Sequence, residues 1–325
     1  MSETRQRTLG SSGLMVSVVG VGCNSFGERT DADEVRAIVD AALEAGITLF
    51  DTADIYSLGE SERLLGAALK GRREQAIVAT KFGMDMQGAN GPDFGVRGSR
   101  RYIRRAVDAS LQRLGTDWID LYQFHTPDRI TPIQETLGAM GELVTEGKVR
   151  YIGCSNMTAW EATRAHHLAK DFGAPGFVTA QNAYSLYNRS AEAELAPACE
   201  AAGMSILPYF PLAYGLLTGK YRRGEAAPSG SRLEKQSQRL ATADFDRVEA
   251  LQAAAGDLGV DLLTLAISGL AAQPAVGSVI SGVSRAPQIA SNVAAAGWVP
   301  TADELARIDA AVPRGTGDGY TPFAV

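Results

Sequence analysis

The chain has 325 residues, 45% of them hydrophobic and 21% charged, with no long single-residue run, which supplies a large core and excludes global disorder. A net charge of −6 with scattered arginines argues against a nucleic-acid partner; "RRYIRR" at 100–105 is accounted for as the exposed side of an amphipathic helix. The N-terminus has no apolar signal core and other apolar stretches are broken by charges or glycines, so a cytoplasmic location without a membrane partner is expected.

Taken in chain order, "TLGSSGLMVS" at 8–17 reads as a hairpin that plugs one end of a larger fold. β-Branched or apolar runs then recur at 18–22, 48–51, 76–80, 119–124, 149–154, 177–181, 205–209 and 278–282, eight candidate strands. Helical periodicity lies between most of them: Val35, Ile38, Val39 and Ala42 repeat at i, i+3, i+4, i+7, as do Ile103, Ala106, Val107 and Ser110. Gly46, Gly115 and Gly147 stop helices. The fourth helix opens "TPIQ" at 131–134, where Thr131 is expected to cap, Pro132 to take the first helical position and Gln134 to close a capping box.

Strands alternating with helices imply parallel pairing through right-handed crossovers, and eight such units predict an α/β fold, a (β/α)8 TIM barrel over residues 1–325 with extra C-terminal helices. The rival, a doubly wound dinucleotide fold, lacks its fingerprint: in "GVGCNSFG" at 20–27 Ser25 replaces the third glycine and no helix begins there. "GLLTGKY" at 215–221 has too few residues between its glycines for a phosphate loop. Two long irregular stretches, 82–98 and 221–236, follow strands three and seven and are therefore predicted at the C-terminal mouth, as pocket walls or a lid. The glycine-rich tail "GTGDGYTPFAV" is read as either ordering over the site or remaining free.

Cys23, Cys154 and Cys199 form no paired motif and read as buried free thiols, and the adjacent His166 and His167 lack zinc-site spacing, so no metal is expected. The chemistry concentrates at strand ends. Asp51 closes strand two, Lys81 strand three and His125 strand four, with Tyr56 in the turn after Asp51; on a barrel these ends converge. A phenol titrates near ~10, too high for proton exchange at neutral pH unless a cation stands beside it. Lys81 supplies that cation, Asp51 keeps it charged, and His125 hydrogen-bonds a carbonyl oxygen, a set suited to protonating a developing alkoxide.

"FDTADIY", "ATKFG", "FHTPD", "GCSN", "QNAYS" and "PYFPLAYGLLTGKY", in this order, resemble the aldo-keto reductase superfamily over about residues 8 to 312. The resemblance implies reduction of an aldehyde or ketone by hydride from NADPH, with Tyr56 as general acid and Asp51, Lys81 and His125 completing a tetrad. It further implies that Ser155, Asn156 and Gln181 hold the nicotinamide carboxamide, that Tyr209 stacks on the ring, and that Gly22, Cys23 and Asp51 lie near its ribose. Backbone groups of Phe210, Pro211, Leu212, Ala213 and Gly215, with Lys220 and Arg232, would hold the pyrophosphate. Gly282, Ser284 and Arg285 would clasp the 2′-phosphate where a strand runs into a helix, and Gln288 and Asn292 would contact the adenosine; Arg285 favours NADPH over NADH. Phe26, Tyr56, Phe82 and His125 are expected to line the pocket of a small-molecule carbonyl substrate.

Two other readings use the same residues. The superfamily resemblance extends to potassium-channel beta subunits, a cofactor-binding sensor role, against which His125 stands because those subunits carry asparagine there. A barrel lyase would use Lys81 as a Schiff-base amine, which requires a neutral lysine. Glu60 and Glu62 are assigned only a favourable interaction with the start of helix two.

Overall fold

The computed structural model describes residues 4–317. A two-stranded antiparallel hairpin, β1 (Gln6–Thr8) with β2 (Met15–Ser17), precedes an eight-stranded parallel sheet. The sheet comprises β3 (Val19–Gly22), β4 (Leu49–Asp51), β5 (Ile77–Phe82), β6 (Ile119–Phe124), β7 (Val149–Ser155), β8 (Thr179–Ala183), β9 (Ser205–Tyr209) and β10 (Val279–Gly282). β10 pairs with β3, and the strands then run in chain order to β9. The ring closes where Ile206 donates to the carbonyl of Ala275 at 2.6 Å and accepts from the amide of Gly277 at 2.9 Å. The eight predicted runs coincide with these eight strands, and the architecture is the predicted (β/α)8 barrel.

α1 (Ala32–Glu44), α2 (Glu60–Ala68), α3 (Arg100–Leu114), α4 (Ile133–Thr145), α5 (Ala159–Ala169) and α6 (Leu195–Ala202) alternate with the strands. α7 (Ser237–Ala241), α8 (Phe245–Asp257) and α9 (Leu262–Ala271) fall between β9 and β10; α10 (Pro287–Ala295) and α11 (Ala302–Ala311) come after β10. No single helix among the described residues is long and apolar enough to cross a membrane. Val35, Ile38, Val39 and Ala42 of α1 are fully buried, as are Ile103, Ala106, Val107 and Ser110 of α3, so the predicted stripes face the sheet. α3 is capped at both ends, by Ser99 accepting from the amide of Tyr102 and by Gly115 at φ 62°.

α4 departs from expectation. Thr131 does not cap it; its amide and hydroxyl both donate to the carboxylate of Asp128 at 2.7 Å, and the cap position falls on Pro132 with no side-chain bond and no box from Gln134. An Asx-type turn three residues upstream competes successfully for the threonine.

Residues two apart on a strand share a face, so the barrel interior is built in levels. At the lower level Leu49, Ala79, Leu121, Leu207 and Ile280 pack with Leu9, Leu14 and Val16 of the hairpin, which therefore plugs the barrel as expected. One pleat higher, the same inward positions carry Asp51, Lys81, Gln123 and Gln181, all buried. The outward positions Val21, Phe50, Val78, Phe82, Tyr122, Phe124, Ile152 and Cys154 belong to the apolar layer between sheet and helices.

The helical layer is close-packed at Gly66 in α2, where an added Cβ would sit 2.2 Å from the backbone oxygen of Leu114. Gly66→Ala is expected to destabilise the fold by about 1–3 kcal/mol, the usual range for overpacking, because backbone rather than a flexible side chain must yield. Denaturant unfolding of the two proteins measures the difference.

Candidate active site

β4 delivers Asp51 into the barrel, and the chain leaves the strand through a turn before α2. That turn is pinned from behind: the Ser61 hydroxyl lies 2.8 Å from that of Thr52 and donates to the carbonyl of Cys23 at 2.9 Å. It brings the half-buried Tyr56 back over the barrel mouth. From β5, the fully buried Lys81 uses its three ammonium donors on Asp51 Oδ2 at 2.8 Å, the carbonyl of Thr52 at 2.8 Å and the Tyr56 hydroxyl at 3.5 Å. Asp51 Oδ1 accepts from Gln181 at 2.8 Å and from Gln123 at 3.4 Å. His125, next after β6, meets the Tyr56 ring edge-on at a centroid distance of 6.2 Å. The four predicted residues are thus brought together.

Their protonation is set by burial and neighbours. Burial pushes the Tyr56 phenol up, Lys81 pulls it down and Asp51 pushes it up again, with the net direction upward, so the tyrosine carries its proton. Burial alone would lower the lysine; Asp51 and Tyr56 more than reverse this, and its net direction is upward too. A lysine held charged by three hydrogen bonds is not a free Schiff-base amine. Burial and, secondarily, Lys81 push His125 well below the ordinary histidine value, so the imidazole is neutral at physiological pH. Its Nδ1 is buried and has no hydrogen-bond partner among the described residues. An orphaned acceptor costs less than an orphaned N–H, which places the proton on Nε2.

These groups border a cavity of about 770 Å³ that runs from Tyr56 and His125 past Asn156, Gln181 and Tyr209 to Gly282, Ser284, Arg285 and Gln288. Gly22, Phe210, Pro211, Leu212, Gly215, Lys220 and Arg232 also line it. Phe210, Ala213 and Tyr214 hold φ of 54°, 46° and 60°, and Gly215 99°. Such left-handed residues persist where surrounding structure or a ligand requires the backbone to turn its amides in one direction. The Arg232 guanidinium lies over the rings of Phe210 and Tyr214 at 5.2 and 5.1 Å. Arg232 comes from the loop after β9, and Met84 from the loop after β5 is another wall residue, so both long loops wall the cavity.

Other expectations are corrected. Phe26 and Phe82 are fully buried and do not line the cavity. Lys81 points inward, so its neighbour Phe82 points outward, stacked on Tyr122 and Phe124 at 4.8 and 5.2 Å. Phe26 packs in the same apolar layer, and Cys23 beside it is a buried thiol. Ala213 and Asn292 are buried behind the wall rather than on it, and Ser155 donates its hydroxyl to the carbonyl of Gln181 at 2.8 Å. Asn156, at φ 57°, accepts from the Tyr209 hydroxyl at 2.8 Å, which fixes that ring. Asn24, Ile55, Met84, Tyr214 and Thr218 line the cavity without having been singled out from the sequence; Tyr214 lies inside the quoted "PLAYGLL" run. The tail beyond residue 317 lies outside the described residues.

Glu62 is not a solvated helix-start charge. It is fully buried, accepting from Arg113 at 2.6 Å and from the Thr80 hydroxyl at 2.6 Å. Arg113 also donates to Asn90 at 3.1 Å, and Asn90 donates to Asp54 at 3.1 Å. This chain of contacts ties the loop after β5 to the turn that carries Tyr56. Arg113 pairs with Glu62 and not with Asp54; burial first and Glu62 next push the Asp54 carboxyl well above its ordinary range, and Arg113 and the hydrogen bond from Asn90 offset this only in part.

A neutral imidazole, a phenol with its proton and a charged lysine, gathered over a barrel mouth, define a barrel oxidoreductase that acts on carbonyl groups. Residues 18–313 match the Aldo/keto reductase family model, and the chain belongs to that family. It is 34% identical to "Probable voltage-gated potassium channel subunit beta" of Oryza sativa subsp. japonica, over 94% of this chain and 96% of the relative. It is 35% identical to "Protein tas" of Escherichia coli (strain K12), over 92% and 95%. With "Versiconal hemiacetal acetate reductase" of Aspergillus parasiticus it shares 33%, over 98% and 97%. The solved aldo-keto reductase AKR11C1 from Bacillus halodurans, in its holo form, superposes with a TM-score of 0.78 at 35% identity, covering 95% of this chain and 96% of that one.

A buried carboxyl whose folded value is raised contributes stability below its unfolded value, near pH ~4, and loses it as pH rises toward the folded value. Asp54→Asn has nothing to deprotonate. Its stability relative to the wild type is therefore expected to grow with pH above about 4, by at most about 1.4 kcal/mol per unit, the limit for one proton. Unfolding midpoints at pH 5 and pH 8 test this; a difference independent of pH would mean that Asp54 is ionised in both states.

Proposed function

We propose that the protein reduces an aldehyde or ketone to an alcohol with NADPH. The observation that carries this reading is the Lys81 ammonium, held between the Asp51 carboxylate and the Tyr56 hydroxyl beside a neutral His125 at one end of an elongated cavity. The residues along that cavity fit a dinucleotide: Asn156, Gln181 and the fixed ring of Tyr209 stand near the tetrad, Phe210, Pro211, Leu212 and Gly215 with Lys220 and Arg232 occupy the middle, and Ser284 and Arg285 the far end. The aldo-keto reductase AKR11C1 was solved in a holo form, which supports a bound cofactor in this fold.

When bound, the nicotinamide supplies a hydride to the carbonyl carbon. His125 Nε2–H donates a hydrogen bond to the carbonyl oxygen, orienting it and drawing off charge. Tyr56 gives its proton to that oxygen as it becomes an alkoxide. Lys81 stabilises the phenolate left behind, and Asp51, braced by Gln181 and Gln123, keeps the lysine charged and in place. A cofactor-binding sensor role, in a channel-subunit setting of the kind the rice relative's name gives, is the weaker reading, because His125 stands beside Tyr56.

NADPH oxidation measured against a panel of aldehydes, ketosugars and dicarbonyls tests the proposal. Tyr56→Phe is expected to keep cofactor affinity and lose at least about 10²-fold in turnover, the scale of general acid catalysis. Tight NADPH binding with no reduction of any carbonyl would instead support the sensor.

A further inference from the structure

The start of α10 meets the cavity at Gly282, Ser284, Arg285 and Gln288, and on the proposed reading this is where the 2′-phosphate of NADPH lies. Three consecutive backbone amides there already have acceptors. Gln288 Oε1 accepts from the amides of Ser284 and Arg285 at 2.8 and 3.0 Å. The next amide, that of Ala286, donates to Glu34 Oε1 at 2.8 Å, across 252 residues of sequence.

The two acceptors differ in consequence. A glutamine is neutral, and rotating its amide turns donors toward an incoming anion. A carboxylate only accepts, and its charge stays wherever the side chain rests near this turn. Glu34 sits in the first turn of α1, held there by Asp31, whose side chain accepts from the Glu34 amide at 3.0 Å. The positive end of α10 is thus partly neutralised by the protein itself, next to the place a phosphate would use it. The opposing cation is Arg285, which is exposed and forms no ion pair among the described residues.

We propose that Glu34 is a selectivity residue, a carboxylate on the Ala286 amide at the entry to α10 that holds back the affinity for a 2′-phosphorylated dinucleotide relative to its unphosphorylated counterpart. The inference rests on the NADPH reading of the cavity and assigns to α1 a part in it. Arg285 attracts the phosphate and Glu34 repels it, so the preference for NADPH over NADH is smaller than the arginine alone would set. An unphosphorylated ribose offers a hydroxyl, which a carboxylate tolerates as an acceptor.

The test is direct titration of NADPH and of NADH, read by calorimetry, on the wild type and Glu34→Gln. The variant keeps an oxygen for the Ala286 amide and removes only the charge. NADPH is expected to bind about 3- to 10-fold tighter, NADH to change less than about 2-fold, and the gain to shrink in ~0.5 M salt, because a partly exposed charge is screened. Glu34→Ala, which removes acceptor and charge together, is expected to move the ratio in the same direction, with its unfolding midpoint recorded beside it. Binding of both dinucleotides with an unchanged affinity ratio in the two variants would overturn the inference and leave the proposed function standing. Binding of neither by the wild type would overturn both.

Discussion

The site depends on one charge inside the barrel. An ammonium taken out of water costs several kcal/mol after relaxation, on the order that only a partner of opposite sign and full hydrogen bonding can offset. Lys81 meets both conditions, because its three donors have three acceptors and one of these is Asp51. The constraint runs outward from there. Asp51 needs its second oxygen satisfied, which fixes Gln181 and Gln123, and the third donor of the lysine fixes the height of Tyr56. Such a pair adds little net stability, but removing either partner leaves a buried unpaired charge, so the arrangement persists as a unit.

The barrel makes that unit by a change of level. Inward residues two apart on β4, β5 and β6 go from Leu49, Ala79 and Leu121 to Asp51, Lys81 and Gln123. An apolar floor excludes water from below while the polar level above it faces the cavity. Asn156, Phe210, Ala213 and Tyr214 adopt left-handed conformations on segments that follow strands of the sheet. Strand ends and loops share the cavity wall: Asp51 and Gln181 come from the sheet, Arg232 and Arg285 from the segments that follow it.

The strands are legible because a strand buried on both faces is a short apolar run, and the tetrad because its members end such runs. What escapes the sequence depends on direction or on distant partners. Phe82 falls outside the pocket because its neighbour Lys81 points inward and the pleat sends Phe82 the other way. Glu62 looks like a local helix-start charge, yet its partner Arg113 is 51 residues on. Thr131 has the right spacing for a cap, but Asp128 claims it first. Asn90 lies inside a loop that periodicity cannot parse, and only the fold brings it to Asp54.

The hairpin at the start of the chain has a bearing on how the protein folds. Its turn is held from the far side of the molecule: the Gly10 amide donates to Ser205 at 2.7 Å and the Ser11 amide to the carbonyl of Gly203 at 2.8 Å. Leu9, Leu14 and Val16 pack against a surface that includes Leu207 of β9 and Ile280 of β10, far along the chain from the hairpin. Contacts so remote in sequence form late, since loop closure precedes any gain from them. The hairpin therefore docks late in folding, and its apolar face stays partly uncovered until β9 and β10 are in place.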